Sequence, residues 1–297
     1  MGKFIDPRAD WAFKRIFGSD DTKECLITFL NGLFKGELTI TDVKFEKTEQ
    51  TKQHEDERGV IFDVKCKTND GRHVIVEMQK KEQEYFVDRA IFYSAKAIVG
   101  QGLKGRWNFH LAPVYTVCFM DFVAEEGLAK KFRTDLGLCN LETGKQENDK
   151  MRIVYLQLPL FEETTEEECK DDIFKCWIYI LRNMSNFEEM PFIDKYPVFK
   201  KLAAISDLRT LSPEEQEMYE EDIKIMRDLY ATRQFELKRR KKALAEGRAE
   251  GMAKGRAEEK VDIAKRLFGM GFTPEQVASG TQLSLDEVLR IKDEANQ

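Results

Sequence analysis

The chain has 297 residues, 42% hydrophobic and 34% charged, with a formal net charge of −6. That composition fits a globular, rather helical protein with one large core or two domains, and it is not the balance of a protein that coats DNA non-specifically. No apolar run reaches membrane-spanning length and no apolar leader follows Met1, so the chain reads as cytoplasmic with no membrane partner.

Asp10 to Phe17 predicts a first helix, with Phe13, Ile16 and Phe17 at helical spacing and an interruption at Asp20, Asp21 and Thr22. A second apolar helix runs from Cys25 to Phe34. Ile40 to Glu46 alternates like a half-buried strand, and the charged stretch 48–58 reads as a loop or a frayed strand end. Val60–Lys67 and His73–Gln79 form two strands joined at Asn69, Asp70 and Gly71, residues that tolerate positive φ. The unbroken run Val74, Ile75, Val76 suits a strand buried on both faces. Tyr85 to Leu103 reads as a crossover helix that ends at Gly100 and Gly102. Ala112–Phe122 and Met151–Phe161 add two more strands, which together predict an α/β, restriction-endonuclease-like mixed-sheet core.

Beyond Phe161 the pattern turns helical. An acidic stretch leads into a helix over Ile173–Met184, and Pro191 and Pro197 flank short segments. Ser212 is an N-cap, Pro213 takes the first helical position, and acids fill the first turn of a long helix. Gly247, Gly251 and Gly255 recur every four residues beside Ala245, Ala249, Ala253 and Ala257. On a helix this makes a stripe of small residues that a second helix can approach closely, which predicts a homo-oligomer with Met252 and Leu244 beside the seam. Interior glycines cost about 1 kcal/mol each against alanine, so a flexible linker stays open as the other reading. Lys238 to Lys242 is the strongest basic cluster, but five successive residues wrap most of a helix. Val261–Met270 and capped helices opening at Thr273 and Ser284 outline a helix-turn-helix. Its third helix starts with Asp286 and Glu287, which repel phosphates and favour a structural or partner-binding tail. The layout predicted is a mixed-sheet core at 1–161, a helical extension at 162–211, a long charged helix at 212–260 and a small tail at 261–297.

The chemistry concentrates in the hairpin. Closing it at Asn69–Gly71 brings Asp63 and Glu77 to the same end of the sheet, and Glu77 and Gln79, two apart, share a face. Adjacent carboxylates repel unless they share a cation, and Mg²⁺, with Mn²⁺ as the alternative, prefers such oxygens. Glu77 follows a buried run, where an unpaired acid is costly. Asp63 and Glu77 are therefore the expected metal ligands. Asp10 is a candidate third ligand or a helix-start acid, with Lys14 one turn on. Gln79 can orient a water or hold phosphate, and its neutrality predicts that Gln79→Lys is tolerated. Lys14, Lys80, Arg89 and Tyr93 are candidate DNA contacts, against the plainer readings of a surface ion pair for Arg89 and a core ring for Tyr93. Six scattered cysteines without C-x-x-C spacing read as reduced, and three histidines argue against a zinc site.

The segments DWAFKRIFG from Asp10 and CLITFLNG from Cys25, then Asp63, Glu77-x-Gln79 and Arg89-x-x-x-Tyr93, come in an order that resembles the PD-(D/E)XK nuclease family transposases. They also resemble the neighbouring Rpn recombination-promoting nucleases. The likeness spans roughly residues 6 to 122. Gln79 stands where the wider motif has Lys, in the E-x-Q form of this group. The resemblance implies metal-dependent DNA cleavage, with Asp63, Glu77 and Gln79 catalytic, and a role in recombination or mobile DNA. The alternative is a catalytically inactive nuclease-like module that binds DNA or protein and oligomerises.

Overall fold

The computed structural model describes residues 2–50, 60–81, 84–102 and 107–295. They divide into two compact units, Met1–Arg227 and Asp228–Gln297. The first holds a six-stranded mixed sheet. Its strands are β1 (Val43–Phe45), β4 (Val64–Thr68), β5 (His73–Gln79), β6 (Val114–Met120), β8 (Asn148–Gln157) and β7 (Arg133–Leu138), in that spatial order. β2 (Glu49–Gln50) and β3 (Val60–Ile61) form a separate two-stranded ladder. The three central strands, β5, β6 and β8, run parallel, and the outer strands pair antiparallel. A central parallel strand is covered on both faces, which is why all seven residues of β6 are apolar or buried.

Alternation along β5 decides what each face carries. Val74, Val76 and Met78 point into the main core, formed with α1 (Asp10–Phe17) and α2 (Lys23–Leu33). Ile75 points to the opposite face, under α3 (Phe86–Val99), which crosses over from β5 to β6. There Ser94 and Thr116 share a buried 2.7 Å hydroxyl hydrogen bond. The short helix α4 (Glu166–Cys169) is followed by α5 (Ile173–Asn183) and α6 (Pro197–Ser206). These last two close the main core, where Trp177 lies 5.0 Å from Phe199 and 5.5 Å from Phe17. Trp177, Phe199 and Tyr219 thus share one core with the sheet.

The helix α7 runs unbroken from Pro213 to Gly269, 57 residues, or roughly 85 Å at 1.5 Å per residue. Its first turns belong to the first unit. Tyr219 Oη accepts from the Asp6 N–H at 2.8 Å, and Asp222 Oδ2 accepts from the Trp11 N–H at 2.5 Å. In the second unit, α7 continues through Gly247, Gly251 and Gly255, and a Cβ placed on any of the three would meet nothing within 4 Å. Ala264 near its end packs with Val277 of α8 (Pro274–Thr281) and with Val288 and Ile291 of α9 (Leu285–Ala295). Thr273 and Gln276 form the expected capping box.

Several expectations are corrected. The first hairpin strand is not continuous, because Phe62 and Asp63 form a break between β3 and β4. β1 is only three residues long. β7, α4 and α6 are elements the residue pattern did not suggest, and 261–269 is the end of α7 rather than a separate helix. The crossover helix ends at Val99, and Leu103, its expected last residue, lies outside the described residues, as do 51–58 of the charged stretch.

Candidate active site

The β4–β5 register pairs Val64 with Val76, which sets Asp63 opposite Glu77 at the end of the ladder. The strand break frees the Asp63 backbone to turn there. Its N–H donates to Glu77 Oε1 at 3.3 Å, and its own Oδ2 accepts from the Met78 N–H at 2.8 Å. Glu77 is 7% exposed. Burial, then the charge of Asp63, pushes its pKa up from the usual value to about 8. Asp63 also moves up, through burial first and the Asp10 charge second, against the pull of the Met78 hydrogen bond. Among the described residues no Lys or Arg forms an ion pair with either acid. A half-buried Asp63 and a buried Glu77 therefore face each other, drawn on by the charges of Lys14, Lys80 and Arg89 but, among the described residues, ion-paired to none of them, an electrostatic condition that a divalent cation relieves.

Asp10 is the first residue of α1, after Ala9 at the cap, and Lys14 Nζ lies 2.8 Å from its Oδ2. Burial works against the Lys14 charge, but Asp10, Asp63 and Asp222 hold its pKa above the usual value. Asp10 and Lys14 thus stand within electrostatic reach of the acid pair. Among the described residues no three acid, His or Cys side chains converge into a preformed metal cluster.

Gln79 is 8% exposed, and both ends of its amide are used. Its Oε1 accepts from Arg89 Nη2 at 3.0 Å, and its Nε2 donates to the Lys81 carbonyl at 2.9 Å. The Arg89 guanidinium also lies 5.2 Å over the Tyr93 ring, which packs edge-on against Phe62 at 5.7 Å. Tyr93 is half-buried in that small cluster. The structure thus brings Asp63, Glu77, Gln79 and Arg89 together, sets Asp10 and Lys14 beside them, and leaves Lys80 just past the end of β5, where its charge lowers the Asp63 pKa.

A family model for PD-(D/E)XK nuclease family transposases matches residues 7–234. The chain belongs to this family. Comparison with curated proteins and with solved structures gives no match. The family match runs well past residue 122 and includes the root of α7, and the mixed sheet with its helices is the restriction-endonuclease-like α/β fold expected of a PD-(D/E)XK chain.

Sequence reasoning missed residues that support this candidate site from a distance. The Arg8 side chain is gripped by both oxygens of Asp6, at 2.9 and 2.7 Å, and reaches Asp121 at 3.5 Å. Asp121 in turn uses its N–H on the Gln79 carbonyl at 3.0 Å. Asp222, 211 positions from Trp11, satisfies a first-turn N–H of α1. No helix among the described residues is long and apolar enough to cross a membrane.

Proposed function

We propose that this chain is a Mg²⁺-dependent DNA endonuclease that hydrolyses phosphodiester bonds without a covalent intermediate. The observation that carries the reading is the adjacent pair of half-buried Asp63 and buried Glu77, without a Lys or Arg ion-pair partner among the described residues, in a member of a nuclease family. An acid-rich donor set of this kind fits Mg²⁺ or Mn²⁺, with Asp63 and Glu77 as ligands and Asp10 as a third. When bound, the cation would neutralise the pair, polarise a phosphate oxygen and acidify a water to supply a nucleophile near neutral pH.

The chain's own groups do the positioning. Gln79 fixes the Arg89 guanidinium, which with Lys14 and Lys80 sets positive charge around the acids and offers contacts to the phosphates on either side of the cut. Burial of Glu77 keeps bulk water away from the carboxylate and strengthens every electrostatic interaction there. The wider proposal keeps the expected layout, with a nuclease core at 1–161 and helical parts after it. It also keeps a cytoplasmic role in recombination or mobile DNA, and association of two copies along α7.

One observation favours a second reading, an inactive binding module: no third acid, His or Cys joins the pair among the described residues. A plasmid cleavage assay decides between them. The nuclease reading expects nicking or linearisation with Mg²⁺ or Mn²⁺, loss with EDTA, and loss in Asp63→Asn and Glu77→Gln. An intact plasmid under all metal conditions supports the inactive module.

A further inference from the structure

α1 carries Trp11, Lys14 and Arg15 on one face, three and four residues apart. With Ser19, Asp21 and Thr22 they line a cavity of about 330 Å³, near the low end of the ~300–1,000 Å³ usual for small-molecule sites. Lys14 belongs both to this cavity and to the acid cluster. Its Nζ is 2.8 Å from Oδ2 of Asp10, the third acid of that cluster. A ligand in the cavity would therefore lie next to the proposed cleavage site.

Two side chains of the cavity wall are held in place. The Arg15 guanidinium lies 5.1 Å over the Trp11 ring. Arg15 is itself fixed by the Ile205 carbonyl at 2.8 Å and by an ion pair with Glu215. Indole and guanidinium planes are the surfaces on which unpaired bases stack. At the rim the Thr22 hydroxyl donates to the Arg15 carbonyl at 3.1 Å and lies 2.9 Å from Ser19 Oγ, and the Asp21 carboxylate is an acceptor only. Such a rim suits the amino group of a base.

We propose that this cavity takes the base of one unpaired nucleotide beside the scissile phosphate, with that nucleotide's phosphate against Lys14. The inference rests on the nuclease reading above. It makes the preferred substrate a strand with at least one unpaired base, such as an overhang, a flap or a frayed end.

The test uses the full-length Glu77→Gln protein with Mg²⁺ and fluorescence anisotropy on three DNAs. These are a blunt duplex, the same duplex with a short single-stranded tail, and the tailed duplex with abasic nucleotides in the tail. The intact tail is expected to bind roughly 5- to 100-fold tighter than the abasic tail, the range one base stack supplies. Ser19→Phe fills the cavity with a ring. Added to the first substitution, it should erase that preference, with blunt-duplex affinity and the melting curve measured beside it to show that the protein is folded. Equal affinity for intact and abasic tails, or a preference that survives Ser19→Phe, overturns the subsite while the nuclease reading stands. A parent protein that neither binds any of the DNAs nor cuts with Mg²⁺ removes the nuclease reading itself, and the subsite with it.

Discussion

The backbone N–H of Asp63 donates to Oε1 of Glu77 at 3.3 Å, while the carboxylate of Asp63 turns back onto the Met78 N–H at 2.8 Å. The two acids are thus tied through each other's strand, and neither can swing away to relieve the repulsion.

That restraint makes stability depend on pH in a definite direction. Glu77 is lifted to about 8 in the folded chain, whereas an unfolded Glu titrates near 4.3. Between those values the folded state keeps a proton that the unfolded state has released. Metal-free stability is therefore full below the lower value, falls as pH rises, by at most ~1.4 kcal/mol per pH unit, and is flat above the upper one. Melting in EDTA from pH 5 to pH 8 should show this fall for the wild type and a smaller one for Glu77→Gln, which keeps the acceptor and drops the charge. Added Mg²⁺ should raise Tm more at pH 8 than at pH 5. A Glu77→Gln protein with the same pH slope as the wild type would sink the argument.

Gln79 carries a different expectation from the one its neutrality suggests. Its Oε1 is an acceptor for Arg89, so a lysine there would set one cation against another. Gln79→Ala is expected to cost about 1 kcal/mol for the lost hydrogen bonds, and Gln79→Lys more, with a larger drop in cleavage. If the Lys variant cuts and melts like the wild type, Arg89 does not depend on this contact.

The root of α7 is part of the folded core rather than an appendage. Tyr219, Asp222 and Glu215 reach Asp6, Trp11 and Arg15. A fragment ending at 211 should therefore melt several degrees below one ending at 227, since a buried hydrogen bond and a satisfied helix N–H are each worth about 1 kcal/mol. Equal melting temperatures would mean that these contacts contribute nothing to the core.

Local signals carried much of this architecture into the sequence. The apolar run Val74–Val76 and the turn residues at 69–71 were enough to set Asp63 opposite Glu77, because an antiparallel register leaves no freedom once the turn is placed. β7 was hidden because it is an edge strand whose residues are mostly exposed, with no alternation to read. α6 was hidden behind Pro197, which opens the helix rather than breaking it. The partners of Arg8, Trp11 and Arg15 were not legible at all. Apart from the Arg8 pairing with Asp6, they depend on chain segments more than a hundred residues apart, and only the fold decides which acid meets which N–H.

The glycine stripe offers the last test. Gly247, Gly251 and Gly255 lie inside a continuous helix, and a Cβ on any of them would meet nothing within 4 Å of the same chain. Replacing all three with Ala should therefore raise helix stability, by up to ~1 kcal/mol per site, with no steric penalty inside one chain. If two copies pack along this stripe, closely enough that the missing side chains matter, leucine at the same positions must hold the helices apart. Leu244, 74% exposed, and Met252, 53% exposed, would flank that seam. Sedimentation should then find the wild type and the Ala variant associated and the Leu variant dissociated, with helical content retained in all three. A wild type that stays monomeric at high concentration, with the Leu variant indistinguishable from it, would leave the stripe without a packing role.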